Sequence, residues 1–135
     1  MDGQRVLIVR PDHLHDHLAK DLARRGGAVT DLVVYRSVPE TSESEDMQSV
    51  YRQLLDGSID AVTFASATAV GQFASAIGRD AFADLLQKTV VAAIGPVTAA
   101  AAAELGITAQ VVPETYTVEG LVKALVEYFA GNSKL

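Results

Sequence analysis

The chain has 135 residues, 49 % of them hydrophobic, which is enough for one domain with a real core and too many for a disordered chain. Its net charge of −6 leaves no electrostatic footprint for nucleic acid or an anionic membrane, and with no cysteine there are no disulfides, zinc–thiolate sites or iron–sulfur clusters. Residues 1–5 do not read as a signal peptide and no apolar run reaches the ~18 residues of a membrane span, so a cytoplasmic protein is expected.

The first element is a strand over residues 6–9, a continuous Val-Leu-Ile-Val run of the kind buried on both faces of a sheet. Leu14, Leu18 and Leu22 then recur every four residues as a helical stripe, which Gly26 and Gly27 close. Residues 32–35 read as a second strand. Pro39 breaks that pattern and holds Val38 extended. Ser42 and Glu45 have the spacing of a capping box, and Met47, Val50, Tyr51, Leu54 and Leu55 give the second helix its apolar face, with Gly57 at its end. Residues 59–65 form strand three. Ala69, Val70, Phe73, Ala74 and Ile77 mark the next helix, and Phe82, Leu85 and Leu86 a short extra one. Strand four covers 90–94. An alanine-rich helix over 99–105 can lie close to a sheet because its side chains are small. Strand five covers 110–112, and Val118, Leu121, Val122, Leu125, Val126 and Phe129 mark the last helix.

Strands alternating with helices imply an α/β fold, a parallel sheet with helices on both faces. Five strands predict the flavodoxin-like order 2-1-3-4-5. The chain divides as a single domain over 1–135: a first βαβ unit at 1–35, a polar hinge at 36–44, and the remaining βα units at 45–135.

Ligands of such sheets bind beyond the carboxyl ends of the strands. Ser66 and Thr68 follow strand three, and Gly95 and Thr98 follow strand four. Free N–H groups and the helix dipole make these helix starts natural sites for a carboxylate or phosphate. The competing reading is that Ser66, Thr68 and Thr98 only cap or abut their helices. His13, His15 and His17 lack a third ligand at a usual spacing, and a solvent-facing first turn accounts for them, so no metal is expected. There is no Gly-x-Gly-x-x-Gly motif, no P-loop and no recognisable Ser/His/Asp order. A phosphoacceptor domain needs an aspartate where Ala65 and Ser66 stand. A flavodoxin needs a phosphate loop where Arg10, Pro11 and Asp12 stand, and the cobalamin motif is absent.

Four segments in order carry a resemblance: GSIDAVTFASATAV at 57–70, VAAIGPVTA at 91–99, LG at 105–106 and VPETYTVEGL at 112–121. Together they resemble the C-terminal half of uroporphyrinogen-III synthases. Upstream, VVYRSVP at 33–39 resembles that family's hinge, and residues 6–26 its preceding βα unit. One departure is Arg10-Pro11-Asp12, where the family more often has a glycine-containing turn. The resemblance implies two flavodoxin-like lobes joined by crossing strands. It implies a lyase of tetrapyrrole biosynthesis that closes hydroxymethylbilane, a linear tetrapyrrole with eight carboxylates, to uroporphyrinogen III. The last ring is inverted and water is lost, with no metal and no cofactor. It makes Tyr35 the proton donor to the leaving hydroxyl, and places Ser66 and Thr98 on substrate carboxylates with Thr68 and Gly95 in the same segments. Family chains are roughly twice as long, so an isolated monomer of this chain is expected to be inactive. Two copies exchanging the first βαβ unit would rebuild a bilobed homodimer, which the restricted Val38-Pro39 pair favours. The alternative from another class is a flavodoxin-like binding module or scaffold without catalysis.

Overall fold

The structure, a computed structural model, describes residues 3–10, 17–33 and 45–132. The elements are β1 (Arg5–Arg10), α1 (His17–Arg24), β2 (Ala28–Val33), α2 (Glu45–Leu55), β3 (Ala61–Phe64), α3 (Ala67–Ile77), α4 (Arg79–Leu85), β4 (Val90–Ala93), α5 (Pro96–Glu104) and α6 (Val118–Asn132). The sheet order is β2-β1-β3-β4, and every pairing is parallel. In register, Val6 lies beside Val29 and Ala61, and Ala61 beside Val90.

Alternation along the strands feeds two cores. Leu7, Val9, Val62, Phe64 and Val91 face one side, covered by Val50 and Leu54 of α2, Phe73 of α3, Phe82 of α4 and Ala102 of α5. Val6, Ile8, Ala61 and Ala92 face the other, covered by Leu18 and Leu22 of α1 and Leu121 and Leu125 of α6. Phe64, Phe73 and Phe82 are fully buried, with ring centroids 6.0 to 6.5 Å apart, and they lock β3, α3 and α4 together.

At the opposite end from the helix starts, Arg5 and Asp60 tie β1 to β3. The Arg5 side chain donates to both carboxylate oxygens, at 3.0 and 2.9 Å, and its backbone N–H donates to Oδ2 at 2.7 Å. Asp60 returns its own N–H to the Arg5 carbonyl at 2.8 Å. In this arrangement β1 pairs with β3 of its own chain.

The sheet has four strands, and the expected fifth is reduced to one bridge between Ala92 and Val111. Val111 donates to the Val91 carbonyl at 3.2 Å and accepts from Ala93 at 2.9 Å. The next rung needs an N–H at position 113, where Pro113 has none. On the other side, the Val91 N–H is taken by the Gln110 side-chain oxygen at 2.8 Å. The segment occupies the fifth position without extending a ladder.

Three smaller differences have local causes. β2 starts at Ala28, earlier than its apolar run, because its edge position needs few apolar residues: Val29 packs on one core, Leu32 lies in the other, and Ala28 and Thr30 are exposed. α5 starts at Pro96, whose fixed φ and missing N–H suit a first helical position. On α2, Val50 and Leu54 are buried, whereas Tyr51 and Leu55, one step around the helix, are 37 % and 57 % exposed. Among the described residues, no helix is long and apolar enough to cross a membrane. The hinge at 36–44, with Ser42 and Pro39, lies outside the described residues.

Candidate functional site

Because all strands run parallel, their carboxyl ends share one edge, and the helices that follow start there. α3 and α5 follow the adjacent strands β3 and β4 and pack against each other, so their N-termini are neighbours on one face. α6 starts on the other face, after the Val111 bridge.

The start of α3 is capped. Ser66 is extended, with φ −158° and ψ 154°, and its Oγ accepts from the Ala69 N–H at 3.1 Å. Capping therefore accounts for one lone pair of Ser66, while its hydroxyl proton and the N–H groups of Ala67 and Thr68 remain for a ligand. Thr68 is exposed in this first turn.

The start of α5 is not capped by a side chain. Gly95 holds the cap position and its carbonyl accepts from Ala99 at 3.0 Å. Pro96 has no N–H, and among the described residues the N–H groups of Val97 and Thr98 have no partner. Thr98 is buried, at 4 % exposure, while Val97 is 74 % exposed. Neither α3 nor α5 has an acidic residue in its first turn, so neither helix offsets the positive end of its own dipole.

The start of α6 is built differently. Thr117 Oγ1 accepts from the Gly120 N–H at 3.0 Å, and the Thr117 N–H donates to the Thr115 carbonyl at 2.8 Å. That carbonyl leans so closely on Gly120 that a Cβ there would lie 2.1 Å from it. The pinned loop projects Tyr116 outwards at 61 % exposure, and the root of its ring lies on Gly95: a Cβ on Gly95 would be 3.4 Å from Tyr116 Cγ.

The structure thus brings Ser66, Thr68, Gly95 and Thr98 to one edge, and adds Tyr116 and Thr117. Neither of these was a candidate in the sequence. The signal for Thr117 was present, as a threonine three residues before Gly120 at the start of an apolar stripe. For Tyr116 the sequence offered only its place in the VPETYTVEGL segment, since its contact with Gly95 depends on which loop lies across which helix start. Tyr35 and the loop after β1, including His13 and His15, lie outside the described residues. A groove of about 670 Å³ runs between residues 110–115 and α6, lined by Val112, Glu114, Lys123 and Tyr128 among others, and includes none of the four predicted residues. The assembled edge can donate neutral hydrogen bonds to anionic oxygens. Among the described residues it holds no nucleophile–base pair and no group of three or more His, Asp or Glu able to hold a metal.

The family pattern described as "Uroporphyrinogen-III synthase HemD" matches residues 1–123. A uroporphyrinogen-III synthase of Chlorobaculum parvum is 32 % identical over 125 residues, spanning 93 % of this chain and 49 % of that protein. A putative uroporphyrinogen-III synthase of Methanothermobacter thermautotrophicus is 36 % identical over 128 residues, with the same coverage of 93 % and 49 %. The crystal structure of the Thermus thermophilus uroporphyrinogen III synthase is similar over 98 % of this chain and 52 % of that one, with a TM-score of 0.61 and 27 % identity. The chain spans about half the length of the curated relatives it matches.

Proposed function

The chain belongs to the uroporphyrinogen-III synthase family, and we propose that it forms one wall of a tetrapyrrole cleft, with the starts of α3 and α5 holding ligand carboxylates. The observation that carries this reading is the uncapped start of α5, where two N–H groups have no partner among the described residues and the first turn holds no acidic residue. Ser66 lends its hydroxyl proton and Thr98 lines the same edge. Tyr35 is the proton donor to the leaving hydroxyl of hydroxymethylbilane, and no metal or cofactor takes part. The work is cytoplasmic.

One wall binds and does not catalyse. Ring closure with inversion needs the linear substrate folded between two surfaces, because orientation supplies much of the rate. The monomer of this chain therefore leaves hydroxymethylbilane to close spontaneously to the type I isomer. Exchange of the first βαβ unit between two copies offers a route to a second wall. Incubation with fresh hydroxymethylbilane tests the reading, together with NMR titration by a polycarboxylated porphyrin. Expected are amide shifts at residues 66–70 and 97–99 and no type III isomer above background from the monomer. Shifts confined to the amino-terminal edge of the sheet would remove the site. The second reading, a binding module without catalysis, is favoured if the amides shift but no assembly of the chain ever yields the type III isomer.

A further inference from the structure

The geometry points to Tyr116 as a binding residue of this site, an aromatic surface on which one pyrrole ring of the ligand rests while its carboxylate reaches the start of α5. The inference rests on the tetrapyrrole reading and adds a residue from the opposite layer of the fold.

Four observations converge. Tyr116 is a large aromatic side chain left 61 % exposed, although its ring root is seated on Gly95. Gly95 is the residue from which the two unpartnered N–H groups follow. Val97, in the first turn of α5, is a second apolar side chain left in the open, at 74 % exposure. Thr98, in the same turn, is a buried polar residue at 4 % exposure, on the turn whose N–H groups lack a partner among the described residues. Exposed apolar surface beside unsatisfied donors suits a ligand that is apolar in its rings and anionic at its rim.

The loop that carries Tyr116 is over-determined. Thr117 is held at both its N–H and its hydroxyl, and Gly120 admits no side chain because the Thr115 carbonyl occupies that space. Capping α6 requires Thr117 but does not require an aromatic residue before it. The pinned loop sets the root of the ring against Gly95, at the entry to α5, before any ligand arrives, which reduces the ordering cost of binding.

The experiment uses the full chain and uroporphyrin III, an air-stable tetrapyrrole with eight carboxylates, as the probe. Titration of the unsubstituted chain should shift the amides of Val97 and Thr98, and the porphyrin ring current should move the Tyr116 ring protons with the same midpoint. Tyr116→Ala should weaken binding by about three- to tenfold, the span expected of one aromatic contact, and Tyr116→Phe should bind within about twofold of the parent. A purely structural role would not give the ring-current shift, nor the rescue by phenylalanine. If Val97 and Thr98 shift while the Tyr116 ring does not, and the alanine variant binds like the parent, the inference fails and the site stands. If phenylalanine is as weak as alanine, the ring contact is wrong. If neither Val97 nor Thr98 shifts, the tetrapyrrole reading itself falls and takes this inference with it.

Discussion

At the residue scale, the informative positions are those where side chains are missing or unmatched. Gly95 leaves a helix end unfinished, and a cap there would compete with any ligand. Gly95→Asp should stabilise the chain by about 0.5–1 kcal/mol through the cap and the dipole, and should weaken porphyrin binding, because its carboxylate takes the N–H groups. The backbone allows it, since φ of −165° suits any residue. Thermal melts and titrations of the same sample check both halves, and a variant that melts higher yet binds as before would show that α5 is not the site. Thr63 is the second case. It is fully buried on β3 between Ile8 and Ala92, and its hydroxyl has no partner among the described residues. Thr63→Val keeps the shape and removes the orphan, so urea unfolding should show about 1 kcal/mol of added stability. Gly120→Ala should lose about 1–3 kcal/mol, because the Thr115 carbonyl must move. None of these roles was legible in the sequence, whereas the cap at Ser66 was, since capping depends on immediate neighbours. Tyr116, Thr63 and Gly120 owe their meaning to atoms distant in sequence or to a backbone path.

At the element scale, β1 is bound to β3 at its beginning by Arg5 and Asp60. Hydrogen bonding from the Arg5 side chain holds the Asp60 carboxyl below its ordinary value of 3.8, and partial burial opposes the shift without reversing it. A carboxylate with a depressed value contributes stability that is fully present above the ordinary value, and it is lost as pH falls through the folded one. Arg5 stays charged throughout that range. Asp60→Asn should therefore lower stability at neutral pH, and its curve should converge on the parent's in acid, below the folded value. Parallel curves from neutral pH down into acid would mean that the pair contributes nothing that titrates. The other seam of the sheet shows what a sequence conceals. The two-sided burial of β1 and β3 could be read from continuous apolar runs, and the order of the first four strands from the alternation of strands with helices. The shortening of strand five could not be read from hydropathy, because it turns on N–H supply: Pro113 lacks one, and Gln110 caps the Val91 N–H with its side chain. On α2 the apolar stripe was legible, but not how much of it the core covers, since Leu55 stays exposed.

At the scale of the whole molecule, the question is which copy β1 belongs to. Exchange of the first βαβ unit breaks the β1–β3 ladder, the Arg5–Asp60 pair and the packing of α1 on α6, while β1 keeps β2. Each broken contact re-forms with the other copy, so the contacts themselves nearly cancel. What remains is the entropy of association, which favours the monomer, and the sequence of the hinge at 36–44, in which a proline after Val38 biases against a turn. The chain should therefore populate a two-fold symmetric dimer that grows with concentration. Deleting residues 37–40 should raise the dimer fraction further, because a shortened hinge cannot turn back on its own chain. Asp60→Asn supplies the control: it weakens the same seam in both forms and should leave the monomer–dimer balance where it was. Light scattering across a dilution series of the three chains reads all of this. A parent chain that stays monomeric at the highest concentration, with the deletion no different, would mean that closure within one chain wins and that any second wall of the cleft must come from elsewhere.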